Sequence, residues 1–580
     1  MYSDKDAVNI LTALLVRHDV CDAVVCPGSR NAPIVHNLVV CPEIVCHGVT
    51  DERSAGFYAL GIALATGRPV AICVTSGTAL LNVLPAVAEA FYKRIPLVVI
   101  SADRPGQWID QLDGQTLQQG DGLGRFVRKA VTLPEVRDAE SRWYCNRLVN
   151  EALLGVWQHG GGPVHINVPL SEPLYGFTVA ALPAERVVSM VPSRSDRCML
   201  HRCAEDFLAA HKPMMVVGDL PQLGSTPCHP ASQSPLSEVL GEIPEWKEAC
   251  VVLNESLSMD CGGCRFDEVL SGGTLPSDYE PDFVLVLGGT LVSRRIKTFL
   301  RRLPADVRVW AVSEDGELRD TFQNLCGVIE GRPSDVLADL WQLSSAKEQE
   351  CSSAFVGRWA RLLSEADECV RAFCPDYSQM AAVKRFEDML GEGVGVAVHY
   401  GNSSAIRLAN IYARHYVYCN RGVNGIEGSL STAAGFSLVA GKTVYCVLGD
   451  LSFFYDGNAL WNRELRSNLR VLLLNNGGGG IFEKFDGLRQ SPARERFVMA
   501  QHGASAEGVC QSFGVRYQAA HNMAELESGL MWLTTPSVGG CSGEDGPLLL
   551  EVFTDSANDS RVLQDYYRQF GVVFQKIVNP

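Results

Sequence analysis

Short apolar runs alternate along this chain with longer stretches in which apolar residues recur every three or four positions. The short runs predict buried strands, and the longer periodic stretches predict amphipathic helices. Because this alternation continues along most of the 580 residues, it predicts mostly parallel sheets flanked by helices. A chain of this length exceeds a single hydrophobic core, so we expect several α/β domains in series.

Two breaks in the pattern divide the chain into three predicted α/β domains. Residues 182–200 show no clear period and are interpreted as a linker, and the pattern lapses again around residues 344–380. We therefore predict domains over residues 1–181, 200–345 and 380–580. The strands predicted in the third domain are GVAVHYG, HYVYCN, TVYCVLGD, RVLLLNN, VRYQAA and PLLLEVF.

Polar side chains follow two predicted strands of the third domain at the points where the strands end. The strand that begins at Thr443 is followed by Gly449 and Asp450, and a later one is followed by Asn475 and Asn476. In an open α/β sheet, ligands bind at the edge formed by the carboxyl ends of the strands. Carboxylate and amide oxygens suit Mg²⁺ better than a transition metal. Two ordinary strand ends with turn residues would give the same pattern.

Composition narrows the classes of partner. A net charge of −16 argues against nucleic acids and anionic membranes as main partners. No apolar run reaches about 18 residues, so we expect no transmembrane helix, and the acidic start indicates no signal peptide. We therefore expect a cytoplasmic protein whose 20 cysteines are reduced. Cys261 and Cys264 form one CxxC pair, for which a plain loop is favoured over a redox pair.

The pair Gly449-Asp450, followed about 26 residues later by Asn-Asn, resembles the signature of thiamine diphosphate enzymes. The resemblance implies that Asp450, Asn476 and the carbonyl of Gly478 hold Mg²⁺, or Mn²⁺ as a substitute, against the diphosphate of the cofactor. It assigns cofactor contacts to Glu52, Ile426, Gly449, Asp450, Leu451, Ser452, Asn476, Gly478, Ile481 and Phe482.

Three α/β domains in series are typical of the decarboxylase-like members of this family. The resemblance implies that the first domain binds the pyrimidine ring and the third binds the diphosphate. These parts come from different subunits, which implies a homodimer or a tetramer with active sites between subunits. Glu52 would contact the aminopyrimidine ring, and we expect it to be buried. Taken alone, Glu52 would equally suit an acid at a helix N-terminus, and Ile426 a core position.

Longer motifs resemble one branch of the family more closely. They include VVCPGSRNAP, VTDERSAGFYALG, NRGVNGIEGSLSTAAG and GDLSFFYDGNAL, with GDL in place of the more general GDG. This resemblance implies a transferase of menaquinone biosynthesis that decarboxylates 2-oxoglutarate and adds the succinyl carbanion to isochorismate. Both substrates carry two carboxylates, and arginine binds such planar anions in a bidentate manner.

The same resemblance assigns the substrate contacts. Isochorismate would be bound by Ser29, Arg30, Arg104, Arg294 and Arg295, and Gln115 would lie beside the reacting centre. The carboxylate of the 2-oxoglutarate-derived part would be bound by Ser403, Arg407 and Arg421. The catalytic residues would be Glu52, Gln115 and Ser403.

Some positions depart from the pattern of the family. Gly114 stands where an asparagine is frequent, and Arg294 stands where a lysine is frequent. His399 is expected to be structural. Two alternatives stay open: a thiamine diphosphate enzyme that decarboxylates or ligates another 2-oxo acid, and a catalytically silent member that binds a ligand and regulates a partner.

Overall fold

The computed structural model describes residues 1–189, 197–223, 246–258, 264–344, 353–484, 486–535 and 546–578. Within these ranges the strands form three sheets, and every pair of neighbouring strands is parallel. Helices cover the sheets, which confirms the predicted α/β class. The limits of the three predicted domains stay predictions. Cys261 and part of the predicted linker lie outside the described residues.

The N-terminal sheet has the strand order β2-β1-β3-β4-β6-β5. Its strands are β1 Asp22–Val25, β2 Val45–Gly48, β3 Val70–Val74, β4 Leu97–Asp103, β5 Ala130–Thr132 and β6 Val164–Pro169. The helices of this region are α1 Asp6–Arg17, α2 Ala32–Val40, α3 Glu52–Thr66, α4 Thr78–Asn82, α5 Leu84–Lys93 and α6 Ala139–Gly155.

The middle sheet has the strand order β11-β10-β9-β7-β8. Its strands are β7 Pro213–Val217, β8 Val251–Asn254, β9 Phe283–Leu287, β10 Arg308–Ser313 and β11 Leu325–Glu330. Its helices are α7 Arg197–Ala209, α8 Trp246–Ala249, α9 Phe266–Ser271, α10 Arg294–Leu300 and α11 Pro333–Ser344, and the long helix α12 Ser353–Ala372 follows them.

The C-terminal sheet has the strand order β12-β13-β14-β16-β15. Its strands are β12 Val396–Tyr400, β13 Thr443–Gly449, β14 Leu469–Asn475, β15 Arg516–Ala520 and β16 Leu548–Phe553. Its helices are α13 Gln379–Leu390, α14 Ser404–Tyr412, α15 Ser429–Val439, α16 Asp450–Tyr455, α17 Asp486–Arg489, α18 Glu507–Phe513, α19 Met523–Thr534 and α20 Ser556–Val578. No helix in the described ranges is both long and apolar enough to cross a membrane.

The predicted strand HYVYCN is wrong. Only an isolated bridge between His399 and Tyr418 connects this segment to β12. The segment cannot extend the ladder because side chains take its next carbonyls: Lys93 Nζ donates to the carbonyl of Cys419, and Asn402 Nδ2 donates to that of Asn420. Lys93 lies 326 residues and Asn402 lies 18 residues along the chain from its acceptor, so the local apolar pattern gave no sign of either partner.

Helices α3 and α15 bring the N-terminal and C-terminal sheets together in one hydrophobic core. A Cβ atom at Gly61 of α3 would lie 2.0 Å from the carbonyl oxygen of Thr432, and one at Gly435 of α15 would lie 2.2 Å from that of Tyr58. Neither position leaves room for a side chain. The two helices therefore pack backbone against backbone, which fixes how the two sheets sit against each other.

A Gly61→Ala substitution tests this close helix crossing. The added methyl group forces the helices apart, and overpacking of this kind costs about 1–3 kcal/mol. We expect a clear fall in the midpoint of thermal unfolding. Gly357→Ala is the matched control, because Gly357 lies in α12 with no atom within 4 Å of its Cβ position. The control should be neutral or slightly stabilising, and equal midpoints for both variants would contradict the packing argument.

His47 connects the edge of the N-terminal sheet to a loop of the C-terminal region. Its Nε2 lies 3.0 Å from Asp22 Oδ1, and its Nδ1 lies 3.4 Å from Glu464 Oε2. Burial lowers the pKa of His47, but the hydrogen bonds to the two carboxylates outweigh that effect and raise the pKa to about 9. The charged imidazole therefore stabilises the contact between the two regions.

This contact predicts a dependence of stability on pH. The pKa of His47 is about 9 in the folded protein and about 6.5 in the unfolded chain. Its contribution to the free energy of unfolding is therefore fully present below pH ~6.5 and is lost as pH rises through about 9. We expect the difference in thermal midpoint between the wild type and His47→Gln to be largest near pH 6 and to vanish by about pH 9.5. A difference that stays constant over this range would show that His47 is not charged.

Candidate active site

Asp450 and Asn476 meet at the carboxyl edge of the C-terminal sheet, as predicted. Asp450 is the first residue of α16 and directly follows β13, and Asn476 directly follows the neighbouring strand β14. Asp450 Oδ2 accepts hydrogen bonds from the backbone N–H groups of Asn476 (3.2 Å) and Gly478 (2.9 Å), and Oδ1 accepts one from Leu451 (2.6 Å). The carboxylate therefore organises the whole Asn-Asn-Gly turn.

The environment of Asp450 is short of positive charge. The residue is buried, and burial raises the pKa of its carboxyl group, although three backbone donors and His502 oppose that rise. The Nε2 atom of His502 lies 3.5 Å from Asp450 Oδ2. Nothing in the local sequence points to His502, because it reaches Asp450 from a later loop and has no motif of its own. A divalent cation at Asp450 would supply the charge that the protein does not.

Asn476 is held in one orientation. Its Nδ2 donates to Asp559 Oδ2 at 3.0 Å, and no residue of the described ranges donates a hydrogen bond to its Oδ1. Asp559 is itself fixed, since it accepts from the backbone N–H of Gln379 and from the hydroxyl of Thr554. The amide oxygen of Asn476 is therefore the atom left for a ligand.

These donors fit a magnesium ion. One carboxylate, one amide oxygen and a backbone carbonyl are hard oxygen ligands, which Mg²⁺ prefers. The carbonyl of Gly478 also accepts from the N–H of Gly480 at 2.9 Å. Within the described residues no cluster of three or more His, Cys, Asp or Glu side chains could hold a metal. The set of Asp450, Asn476 and Gly478 contains only one such side chain, so it is not a cluster of this kind.

The other predicted cofactor contacts lie around this turn, apart from two. Gly449, Leu451 and Ser452 lie where β13 passes into α16, and Ile481 and Phe482 lie on the 3₁₀ helix Gly480–Lys484. Ile426 lies elsewhere, and 39% of its surface is exposed in the single chain. Glu52 is the other exception.

Glu52 is the first residue of α3, at the junction of the N-terminal and C-terminal regions. The residues on either side bind the end of α16 and the segment after it: Arg53 donates to the carbonyl of Tyr455 (2.7 Å), and Asp51 Oδ2 accepts from Asn458 (2.7 Å). Glu52 itself is half-buried and accepts from Asn82 Nδ2 at 3.3 Å. The burial expected for Glu52 is thus only partial in the single chain.

A cavity of about 700 Å³ lies between the middle sheet and the C-terminal sheet. It brings together three of the predicted substrate arginines, Arg294, Arg295 and Arg407, with Asn476 and Ile481 of the predicted cofactor site. These five residues, which were predicted from separate parts of the sequence, thus line the same cavity.

Arg407 lacks a partner among the described residues. Its Nε is buried without a hydrogen bond, and no described acid forms an ion pair with it. Burial lowers the pKa of Arg407, and the neighbouring Arg294 and Arg421 lower it further. A buried charge is normally paired, so this cluster of cations is suited to an anion from outside the chain.

Two neighbouring arginines are already bonded to protein groups. Arg421 donates to Asn402 Oδ1 at 3.0 Å, while its Nε is buried without a partner in the described ranges. Arg295 pairs with Asp267, and its guanidinium lies over the ring of Tyr567, 4.2 Å from the centroid. Arg407 and Arg421 thus offer free donor atoms, whereas Arg295 is balanced by an acid.

The remaining predicted substrate residues form a separate group at loops of the N-terminal sheet. Arg30 is buried and donates to the carbonyl of Leu170 (3.1 Å) and to Glu172 (3.2 Å). Arg104 donates to the carbonyl of Gly114, and both Ser29 and Gln115 are exposed. None of these residues lines the described wall of the arginine cavity in the single chain.

Ser403 occupies a strained backbone position just before α14, with φ 72° and ψ −122°. A residue with a side chain rarely adopts such a conformation, and strain of this kind costs about 1–3 kcal/mol. Strained residues cluster at functional sites, which is consistent with the role predicted for Ser403.

We expect Ser403→Gly to raise the midpoint of thermal unfolding, because glycine adopts this conformation without strain. Ser403→Ala is the matched control: it also removes the hydroxyl group but keeps the strain, so its midpoint should stay close to that of the wild type. The midpoints of thermal unfolding of the wild type and the two variants are measured and compared. Equal midpoints for the two variants would show that the position is not strained.

Comparison with known proteins gives a consistent result. The profile "Thiamine pyrophosphate enzyme, N-terminal TPP binding domain" matches residues 5–123, which contain Glu52. The profile "Thiamine pyrophosphate enzyme, C-terminal TPP binding domain" matches residues 400–552, which contain Asp450, Asn476 and Arg407.

Curated relatives match almost the whole chain. A protein of Bacteroides fragilis is 42% identical over 98% of this chain and 100% of its own length, and one of Bacteroides thetaiotaomicron is 41% identical over 98% and 99%. A protein of Porphyromonas gingivalis is 36% identical over 98% of this chain and 97% of its own. All three are named 2-succinyl-5-enolpyruvyl-6-hydroxy-3-cyclohexene-1-carboxylate synthase.

Proposed function

Since the chain belongs to the 2-succinyl-5-enolpyruvyl-6-hydroxy-3-cyclohexene-1-carboxylate synthases, which are thiamine diphosphate-dependent enzymes, we propose that it decarboxylates 2-oxoglutarate and transfers the succinyl unit to isochorismate. The reaction releases CO₂ and belongs to menaquinone biosynthesis. The observation that carries the proposal is the unpaired Arg407 in a cavity that also reaches Asn476.

The unpaired Nε of Arg407 favours a dicarboxylate, whose second carboxylate would bind there. Arg407, with Arg294 and Arg421 close by, would bind the carboxylate of 2-oxoglutarate that is retained in the product. Ser403 at the start of α14 would contact the same part of the substrate. The cavity extends to Asn476 and Ile481, so a substrate held by Arg407 would have its other end near the predicted cofactor site.

The cofactor would be held by the turn that Asp450 organises. Asp450, Asn476 and the carbonyl of Gly478 would bind Mg²⁺, and Mn²⁺ would substitute for it. When bound, thiamine diphosphate supplies the nucleophilic carbon and the electron sink that decarboxylation of a 2-oxo acid requires. Glu52, oriented by Asn82, would hold the aminopyrimidine ring.

A second copy of the chain would complete the site. Glu52 and the group of Ser29, Arg30, Arg104 and Gln115 lie apart from the arginine cavity in one chain. We propose that in a homodimer, or a tetramer built from dimers, these residues of one subunit face the cavity of the other. Isochorismate would then be bound between them and the pair Arg294 and Arg295, with Gln115 close to the reacting atoms.

Two alternatives are less well supported. A monocarboxylic 2-oxo acid such as pyruvate has no second carboxylate that could bind the unpaired Nε of Arg407. A catalytically silent relative would be expected to lack Glu52, Asp450 or Asn476, and this chain retains all three.

The reaction is tested by its product. The protein is incubated with Mg²⁺, thiamine diphosphate, 2-oxoglutarate and isochorismate, and the product is identified by mass spectrometry. We expect the succinylated cyclohexene carboxylate together with CO₂. Turnover of pyruvate with none of 2-oxoglutarate would favour the first alternative, and no CO₂ from any 2-oxo acid would favour the second.

An Arg407→Ala substitution tests the arginine cavity. Removal of one partner of a buried charge pair costs about 2–5 kcal/mol, so we expect the KM for 2-oxoglutarate to rise by about 30-fold or more. Arg371→Ala is the control, since Arg371 is an exposed arginine of α12. Steady-state kinetics measures both variants, and an unchanged KM for Arg407→Ala would remove this residue from the site.

A further inference from the structure

Glu255 is a buried carboxylate that has no part in the proposed reaction. It follows β8, is 2% exposed and lies at the wall of the arginine cavity. Its Oε2 accepts from the backbone N–H of Val292 at 2.7 Å, and its Oε1 accepts from that of Ser293 at 2.8 Å. These two residues directly precede Arg294, so both carboxylate oxygens hold the backbone of an arginine-bearing segment.

Glu89 repeats this arrangement from another part of the chain. It lies on α5 of the N-terminal region and is 3% exposed. Its Oε1 accepts from the backbone N–H of Gly422 at 2.8 Å, and its Oε2 accepts from that of Val423 at 2.7 Å. These residues directly follow Arg421. A second carboxylate thus holds the backbone of a second arginine-bearing segment by the same pair of hydrogen bonds.

The two arginine-bearing segments are also bonded to each other. The hydroxyl of Thr290 donates to the carbonyl oxygen of Arg421 at 2.8 Å, and Arg421 Nη2 donates to the carbonyl oxygen of Leu291 at 3.4 Å. Residues 290–293 and 421–423 therefore form one hydrogen-bonded unit, which Glu255 holds from one side and Glu89 from the other.

Glu255 places a group of opposite charge beside the arginines of the cavity wall. Burial raises the pKa of Glu255 to about 7 and also raises that of Glu89, and the backbone donors counteract part of this effect. A carboxylate at the wall of a site for anions weakens the attraction of that site. On charge alone, an uncharged residue at position 255 would allow the cavity to bind an anion more tightly.

We propose that Glu255 and Glu89 are positioning residues, which hold the backbone of the two segments so that Arg294 and Arg421 stay beside Arg407. This inference rests on the proposed binding of a dicarboxylate in the cavity. Replacing either glutamate has two effects of opposite sign on the binding of an anion. Loss of the negative charge strengthens binding, whereas loss of the hydrogen bonds to the backbone weakens it.

The test is a calorimetric titration of the enzyme, loaded with Mg²⁺ and thiamine diphosphate, with glutarate, a dicarboxylate that has no 2-oxo group to react. Glu255→Gln and Glu89→Gln keep the shape of the side chain but leave only one acceptor oxygen for two N–H donors. We expect each variant to bind glutarate at least 10-fold more weakly. The KM for 2-oxoglutarate should rise to a similar extent, with kcat changed less than about threefold.

Glu268→Gln is the matched control. Glu268 is equally buried and also lies at the cavity wall, but it accepts from the hydroxyl of Tyr566 and not from an arginine-bearing segment. We expect this variant to bind glutarate as tightly as the wild type or more tightly. Equal behaviour of Glu255→Gln and Glu268→Gln would overturn the positioning role.

The failure of this inference can be told apart from the failure of the proposed function. If Arg407→Ala binds glutarate as tightly as the wild type does, the cavity is not the dicarboxylate site. If Arg407→Ala loses glutarate while Glu255→Gln and Glu89→Gln keep it, only the positioning role is overturned. The two glutamates lie in different regions of the chain, so one variant remains as a test if the other fails to fold.

Discussion

The guanidinium group of Arg407 is the feature on which the candidate site depends. Its Nε atom is buried, no described residue forms a hydrogen bond or an ion pair with it, and two further arginines lie close enough to lower its pKa. A folded protein does not normally leave a charge in this state unless something else neutralises it. The surrounding structure therefore holds these arginines close together, where an anion can bind to them.

The fold provides those means at several levels. Parallel strands bring their carboxyl ends to one edge, which places Asp450 beside the turn of Asn476. The close crossing of α3 and α15 fixes the N-terminal sheet on the C-terminal sheet. Glu255 and Glu89 then tie the arginine-bearing segments by their backbones. The packing of the sheets, the turn at Asn476 and the hydrogen bonds of the two glutamates thus all help to position residues around the cavity.

The sequence was sufficient to predict those parts of the fold and the site that depend on residues close together in the chain. The α/β class follows from the alternation of apolar runs, and the meeting of Asp450 with Asn476 follows from two successive strands that are neighbours in a parallel sheet. Among the predicted substrate arginines, Arg30 and Arg421 lie inside the motifs VVCPGSRNAP and NRGVNGIEGSLSTAAG. These parts of the site could be predicted from the local sequence alone.

The sequence was insufficient where side chains from distant parts of the chain bind the backbone. HYVYCN has the pattern of a strand, but its carbonyl groups are taken by Lys93 and Asn402. His502 reaches Asp450, and Glu89 reaches the segment after Arg421, across separations that no periodicity records. Such contacts depend on the packing of whole sheets, which a linear pattern does not contain.

The most direct measurement of the central claim is a crystal structure of the enzyme with Mg²⁺, thiamine diphosphate and glutarate. The account predicts a glutarate carboxylate within hydrogen-bond distance of the guanidinium of Arg407. A structure in which Arg407 pairs instead with a carboxylate of the protein, with glutarate bound elsewhere or not at all, would contradict it.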